Sequence, residues 1–331
     1  MKSFDLVFLL GCDVVDIPLF DMGAWRAADV RDRGVLAGRL DRAMRDSGFF
    51  LVGGHGIDGA LQERIRAQAR AFFALPGAVK DRYATGVGGR GWIPCGREAN
   101  AFYGEVADAD RPDLKETFTL GRDEPGRDPA WFAANVWPAE VPGLREPVSA
   151  YAAQVQELYR ELLEVLAIAL GLDGGYFVER SRNAPYTFNI NRYPPLTVTG
   201  TPLDGQFRVG PHTDWGILTI LDRQPGYGGL QVQNLDGSWA DAPYVPGAFT
   251  VNIADLLARW TGDRWRSTRH RVLPPPEADR DEELISLIVF CEADMDRVVT
   301  PLPPPAGGGA NHPPVVAGDY FREREAAASV G

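Results

Sequence analysis

The stretch HTDWGILTIL, residues 212–221, couples two metal-type side chains to the start of a β-strand. His212 and Asp214 stand two apart, and in an extended segment residues i and i+2 point to the same side. The imidazole and the carboxylate therefore converge on one point just ahead of the apolar run 217–221. The chain has only four histidines: His55, His212, His270 and His312. His270 is the best candidate for a third ligand, because it sits beside another strand start after the run 252–269. Two histidines and one carboxylate on one face leave three coordination positions open. That arrangement suits Fe(II), since O2 and a chelating co-substrate can then bind side by side. Zinc is the main alternative, but a zinc site of this composition usually keeps one open position and a nearby general base. An isolated His-x-Asp pair is common, and His270 in an arginine-rich stretch reads equally well as a salt-bridged surface residue. The surrounding pattern has to decide.

Working outward, the period of the apolar residues is two from Tyr186 onward. Residues 186–193, 217–221, 230–233, 249–253 and 284–290 read as strands, separated by Pro194-Pro195, the glycines at 226–229, Asp236-Gly237 and Pro246-Gly247. Before them the period is helical. Residues 30–47 form a helix closed by Gly48, residues 59–75 a second one stopped by Pro76, and residues 146–171 a long one closed by Gly171. Short strands are expected at 14–20 and 49–52. The stretch 85–100 reads as a loop, as does the proline- and glycine-rich tail from Pro301. Helices first and strands afterwards indicate a β-sandwich or barrel with helices packed outside it.

Composition agrees with a globular chain. Of 331 residues, 45% are hydrophobic and 24% charged, and the formal charge is −11. An acidic surface repels phosphate backbones, which argues against nucleic acid as a partner. Cys12, Cys95 and Cys291 are too few and too widely spaced for a disulfide framework, which points to the cytoplasm. The apolar opening at 6–10 is too short for a signal peptide, and no apolar run reaches the roughly 20 residues that span a bilayer. No membrane partner is expected.

Ten segments in order resemble the isopenicillin-N-synthase-like family of Fe(II)/2-oxoglutarate-dependent dioxygenases. They include VVDIPLF at 14–20, GFFLVGGHGI at 48–57, AFFALP at 71–76, GWIP at 91–94, DLKETF at 113–118 and NRYPP at 191–195. HTDWGILTIL at 212–221, GGLQV at 228–232, the run 251–272 and PPVVAGDYFRER at 313–324 complete the series. The resemblance implies a double-stranded β-helix, or jelly roll, and an oxygenase that uses Fe(II), 2-oxoglutarate and O2. It implies an N-terminal region over 1–125 packed on a core over 126–331 as one integrated unit. The iron ligands carry over onto His212, Asp214 and His270, while His55 falls in a structural turn and His312 in the tail. Such enzymes hydroxylate, desaturate or cyclise small molecules, and bacterial members often act in natural-product or amino-acid-derivative metabolism.

One departure bears on the co-substrate. The resemblance implies an Arg-x-Ser pair for the distal carboxylate of 2-oxoglutarate, supported by the tyrosine of Asn191-x-Tyr193. Ser286 is present, but Leu284 occupies the arginine position. Three readings compete: another cation, with Arg280 the nearest, takes the role; the enzyme is an Fe(II)/O2 oxidase that does not use 2-oxoglutarate; or a 2-oxo acid without a distal carboxylate is used. A non-catalytic binding protein on the same fold is a further alternative. Strand parity puts Thr187, Asn189, Asn191 and Tyr193 on one face, a polar row that fits a ligand-facing wall. Candidate substrate contacts are Asn189, Phe118, Trp215, Phe290, Ile288, Arg90 and Trp92, with Arg97 and Phe102 in the same loop region.

Overall fold

The computed structural model describes residues 15–99, 108 and 110–328. The predicted contact at Phe102, Cys12 and the apolar opening at 6–10 lie outside them. The described strands are β1 (Leu19–Asp21), β2 (Phe49–Gly53), β3 (Gly91–Ile93), β4 (Glu116–Gly121), β5 (Tyr186–Tyr193), β6 (Val209–His212) and β7 (Leu218–Asp222). They continue as β8 (Leu230–Gln233), β9 (Trp239–Asp241), β10 (Phe249–Ile253), β11 (His270–Val272), β12 (Leu284–Cys291), β13 (Val298–Val299) and β14 (Val315–Val316). Eight of them form one sheet in the order β1-β2-β10-β7-β12-β5-β4-β3, and four form a second in the order β6-β11-β8-β9. The mainly β, helix-flanked jelly roll expected from the sequence is present, as two sheets and not as a closed barrel.

The large sheet is covered on its outer face by the helix Arg145–Ala169, whose apolar stripe is buried from Val148 to Leu166. Tyr151 packs at 5.5 Å from Phe188 of β5, and the Tyr159 hydroxyl donates to the Glu292 carbonyl at 2.8 Å. The helix Gly59–Phe73 covers β7 in the same way. Its Arg66 pairs with Asp222 at 2.8 Å, and Gln62 donates to the same carboxylate at 2.7 Å. Asp222 thus faces out to the helix, and its neighbours on β7 face in. The helix Val30–Asp46 ends at Gly48, whose φ of 71° is open to glycine at little cost.

Several short elements differ from expectation. The first strand starts at Leu19, because Pro18 breaks the run. A three-residue strand, β3, interrupts the expected loop at 85–100, and β4 pairs along β5 where the sequence shows only a motif. β6 and β11 carry the histidines themselves; at four and three residues they are too short for periodicity to reveal. The tail is not all loop: residues Ala317–Ala328 form a helix.

The long helix is the main apolar support of the sheet. Leu162→Ala, at a position with no exposed surface, should lower unfolding free energy by roughly 2–5 kcal/mol in urea denaturation. A change below about 1 kcal/mol would mean that the helix contributes little to the core.

Candidate metal centre

His212 and His270 are direct cross-strand partners in the β6–β11 pair, and their ring centroids lie 4.2 Å apart. Asp214, just past β6, turns its carboxylate to both: its Oδ1 is 3.6 Å from His212 Nε2 and its Oδ2 is 3.8 Å from His270 Nε2. The three ligand-type atoms lie within 4.8 Å of one another.

The hydrogen bonds fix which atoms are available. His212 Nδ1 lies 2.8 Å from the Gly210 carbonyl, and His270 Nδ1 lies 3.1 Å from the Thr268 carbonyl. A carbonyl only accepts, so each Nδ1 carries a proton and each Nε2 presents a lone pair when the ring is neutral. Burial, and then the facing His270, push the His212 pKa down to about 4, so its ring is neutral at pH 7. Burial alone would raise the Asp214 pKa, but the two imidazoles and hydrogen bonds from Thr219 and Asn252 outweigh it and lower it. Both of those donors reach Oδ2, at 2.5 and 2.7 Å. His212 Nε2, His270 Nε2 and a buried carboxylate therefore converge on one point. This donor set fits a divalent cation with N and O preference, and its carbonyl, hydroxyl and amide supports are those that orient metal ligands.

The trio opens onto a cavity of about 250 Å3 lined from both sheets. Asn189, Asn191, Tyr193, Trp215, Ile288, Phe290 and Arg90 line it, as the sequence reading expected. Arg90 lies over Gly121; a Cβ there would come within 2.2 Å of its Nη2, so only glycine leaves room for it. Its Nε is buried without a hydrogen-bond partner, and burial lowers its pKa. Thr119 Oγ1 and Asn189 Oδ1, on paired residues of β4 and β5, are likewise buried without partners. Trp131, Trp215 and Phe321 form an aromatic group on the wall, the two indoles at 5.7 and 5.4 Å from the Phe321 ring.

Five expected contacts are not among the lining residues. Phe118 has the opposite strand parity to Thr117 and Thr119 and packs 4.7 Å from Phe72 in the core. Trp92 is buried and donates to Glu116 at 2.8 Å. Arg280 pairs with Glu277 on an exposed turn, and so does not stand in for the missing arginine. Ser286 shares the strand parity of the lining residues Ile288 and Phe290 and is hydrogen-bonded with the Tyr193 hydroxyl, but is not itself among the lining residues. Arg97 is not among the lining residues. His55 stacks on Phe249 at 4.0 Å and His312 pairs with Asp263, both outside the cavity. Residues that the sequence reading missed include Lys115, Thr119, Glu292 and Asn252. Lys115 and Thr119 lie on the same inward parity as Thr117, a signal that is present once β4 is read as a strand. Burial, and then Asp214, push the Glu292 pKa up to about 8, which keeps a neutral acid in the wall.

Comparison with known proteins agrees with this geometry. Residues 17–140 match the model of the N-terminal region of non-haem dioxygenases in morphine synthesis, and residues 186–293 match the 2OG-Fe(II) oxygenase superfamily. The chain is 41% identical to validamycin A dioxygenase of Streptomyces hygroscopicus subsp. limoneus, over 93% of this chain and 85% of the relative. This chain belongs to the Fe(II)/2-oxoglutarate-dependent dioxygenases. A homoarginine-6-hydroxylase of Glycine max is 30% identical over 88% of this chain and 90% of its own. Among solved structures, a full-length Neurospora crassa protein in complex with alpha-KG and thymine superposes with a TM-score of 0.81 at 26% identity, covering 95% of this chain and 97% of that one. The enzyme is thus an oxidoreductase that uses Fe(II), 2-oxoglutarate and O2 on small molecules, and 2-oxoglutarate use prevails over the oxidase and binding-protein alternatives. Among the described residues, no helix is long and apolar enough to cross a membrane.

Two outcomes follow for this centre. Asn252→Ala removes one of the two supports of Asp214 Oδ2 and should weaken Co(II) binding about 10- to 100-fold by titration; unchanged affinity would show that the carboxylate needs no such support. Protons compete for the His212 Nε2 lone pair only near or below its pKa. In the metal-free protein the His212 ring signals, followed by NMR, should therefore keep their neutral-form positions from about pH 8 to about pH 6 and shift only as the pH approaches about 4. A titration of that ring centred near the ordinary histidine value of 6.5 would contradict the buried, neutral His212.

Proposed function

We propose that His212, Asp214 and His270 hold the catalytic Fe(II) of this dioxygenase, and that the enzyme oxidises a C–H bond of a small polar natural product. The single observation that carries the assignment is the convergence of two Nε2 atoms, each with its Nδ1 committed to a backbone carbonyl, and one buried carboxylate on the wall of a cavity. With 2-oxoglutarate and O2, bound Fe(II) supplies oxidation of the substrate as the 2-oxo acid loses CO2 and becomes succinate. The chain's own residues do the rest. Thr219 and Asn252 fix the carboxylate, and the Gly210 and Thr268 carbonyls fix both imidazole tautomers. Apolar walls such as Ile288, Phe290 and Trp215 exclude water from the reacting end.

The partnerless polar atoms support a polar substrate. Arg90, Thr119 and Asn189 each turn an unsatisfied group toward the cavity side of the sheet, where a ligand's oxygens and nitrogens would complete them. The aromatic group of Trp131, Trp215 and Phe321 suits the apolar face of a ring. The resemblance to a validamycin A dioxygenase makes validamycin A the first compound to assay. We further infer a cytoplasmic enzyme without nucleic-acid or membrane partners, from the acidic net charge of −11 and the sparse cysteines.

The test is succinate formation by the Fe(II)-loaded enzyme with 2-oxoglutarate, O2 and validamycin A, alongside metal content. Asp214→Ala and His270→Ala should each lose both bound iron and turnover, while Trp92→Phe, outside the cavity, should keep both. An Asp214→Ala protein that retains iron and forms succinate would contradict the ligand assignment.

A further inference from the structure

2-Oxoglutarate is a dianion. With one carboxylate and the keto oxygen committed to the metal, the other carboxylate would have to be met by the residues of the cavity. A buried carboxylate is costly unless a cation or several donors meet it. Leu284 offers neither, packed as it is with Tyr193, Val209 and Val272.

The strand register arranges the interior in rows. Thr219 hydrogen-bonds the metal carboxylate, and Leu221, two residues on, lines the cavity opposite Ile288. Continuing the alternation one residue past the end of β7, the next inward position is Arg223. Asp222 between them turns out to Arg66 and Gln62, as the alternation requires. Extending the β7–β12 register by one residue past Asp222 and Leu287 sets Arg223 opposite Ser286, and Ser286 in turn faces Asn191. Ser286 and Asn191 are the two residues hydrogen-bonded with the Tyr193 hydroxyl, and Tyr193 also lies within electrostatic reach of Arg223.

Three cations surround that tyrosine, and two are already neutralised. Lys115 pairs with Glu98, and Arg208 pairs with Glu282 at 2.9 Å. Arg223 has no carboxylate at ion-pair distance among the described residues. Its Nη1 donates to the Ala242 and Pro243 carbonyls at 3.3 and 3.0 Å, and its guanidinium lies 5.6 Å from the Tyr244 ring. Burial lowers its pKa, and the more distant Tyr244, Tyr193 and Asp241 offset that only in part. A partly buried guanidinium without a paired anion, two rows along from the metal carboxylate's support, is suited to take the negative end of a ligand.

We propose that Arg223, with Ser286 and the Tyr193 hydroxyl, binds the distal carboxylate of 2-oxoglutarate, so that the cation missing at Leu284 is supplied from the neighbouring strand. The inference rests on the iron assignment above and concerns only how this chain selects its 2-oxo acid. Leu284 then packs against the apolar side of the site, and 2-oxoglutarate remains the co-substrate despite the lost arginine.

The test is anaerobic titration of the Fe(II)-loaded protein with 2-oxoglutarate and with 2-oxopentanoate, followed by the visible charge-transfer band of the chelate. 2-Oxopentanoate has the same chain length without the distal carboxylate. The unaltered protein should prefer 2-oxoglutarate, and Arg223→Met should reduce that preference about 10- to 100-fold, one to two decades at about 1.4 kcal/mol each. 2-Oxopentanoate binding should change little, which a general disruption of the site would not allow. Adding Leu284→Arg to Arg223→Met should restore much of the preference. An Arg223→Met protein with its preference intact overturns the proposal while leaving the iron assignment standing. Loss of the band with both acids in the variant overturns it also, since the residue would then be structural. No band with either acid in the unaltered protein sinks the iron assignment, and this inference with it.

Discussion

The site depends on one constraint: a buried carboxylate, Asp214, held by Thr219 and Asn252 so that it faces two imidazoles whose outer nitrogens are committed to backbone carbonyls. Each element of the arrangement removes a freedom that would spoil the centre. The carbonyls at Gly210 and Thr268 stop the rings from flipping their protons inward. The hydrogen bonds to Oδ2 stop the carboxylate from rotating away. Desolvation also keeps His212 neutral at pH 7, the form that a metal ion would require.

That constraint spans both sheets. His212 and His270 are neighbours on the smaller one, while Thr219 and Asn252 are register partners on β7 and β10 of the larger one. The centre therefore forms only when the two sheets face each other correctly, and the helices Arg145–Ala169 and Gly59–Phe73 hold the larger sheet from behind. The same sheet faces then set the rest of the cavity. Residues 187, 189, 191 and 193 of β5 line it in alternation, which matches the polar row that strand parity alone indicates.

Much of this is legible in the sequence where a physical period is strong. The long helix, the strands 186–193, 230–233 and 249–253 and the pairing of His212 with Asp214 follow from spacing, and the structure places them there. What escapes lies in short polar strands. β4, β6 and β11 have three to six residues and carry the functional groups themselves, so hydrophobicity does not mark them. Phe118 and Trp92 read as cavity contacts because they are large aromatics within motifs. The strand parity of β4 turns the first into the core, and Glu116 claims the second. Arg280 is the cation nearest along the chain to the missing arginine, yet its turn is exposed. Arg223 carries a readable signal, four residues beyond Thr219 on one strand face, but it lies just past the end of the recognisable motif.

The central claim is that three side chains meet around one ferrous ion between the sheets. A crystal structure of the iron-loaded protein, grown without O2, with anomalous diffraction recorded at the iron edge, tests it most directly. The account predicts a single peak at about 2.0–2.2 Å from His212 Nε2, His270 Nε2 and an Asp214 oxygen. A peak elsewhere in the chain, or one at which His270 stands several ångströms from the ion, would contradict it.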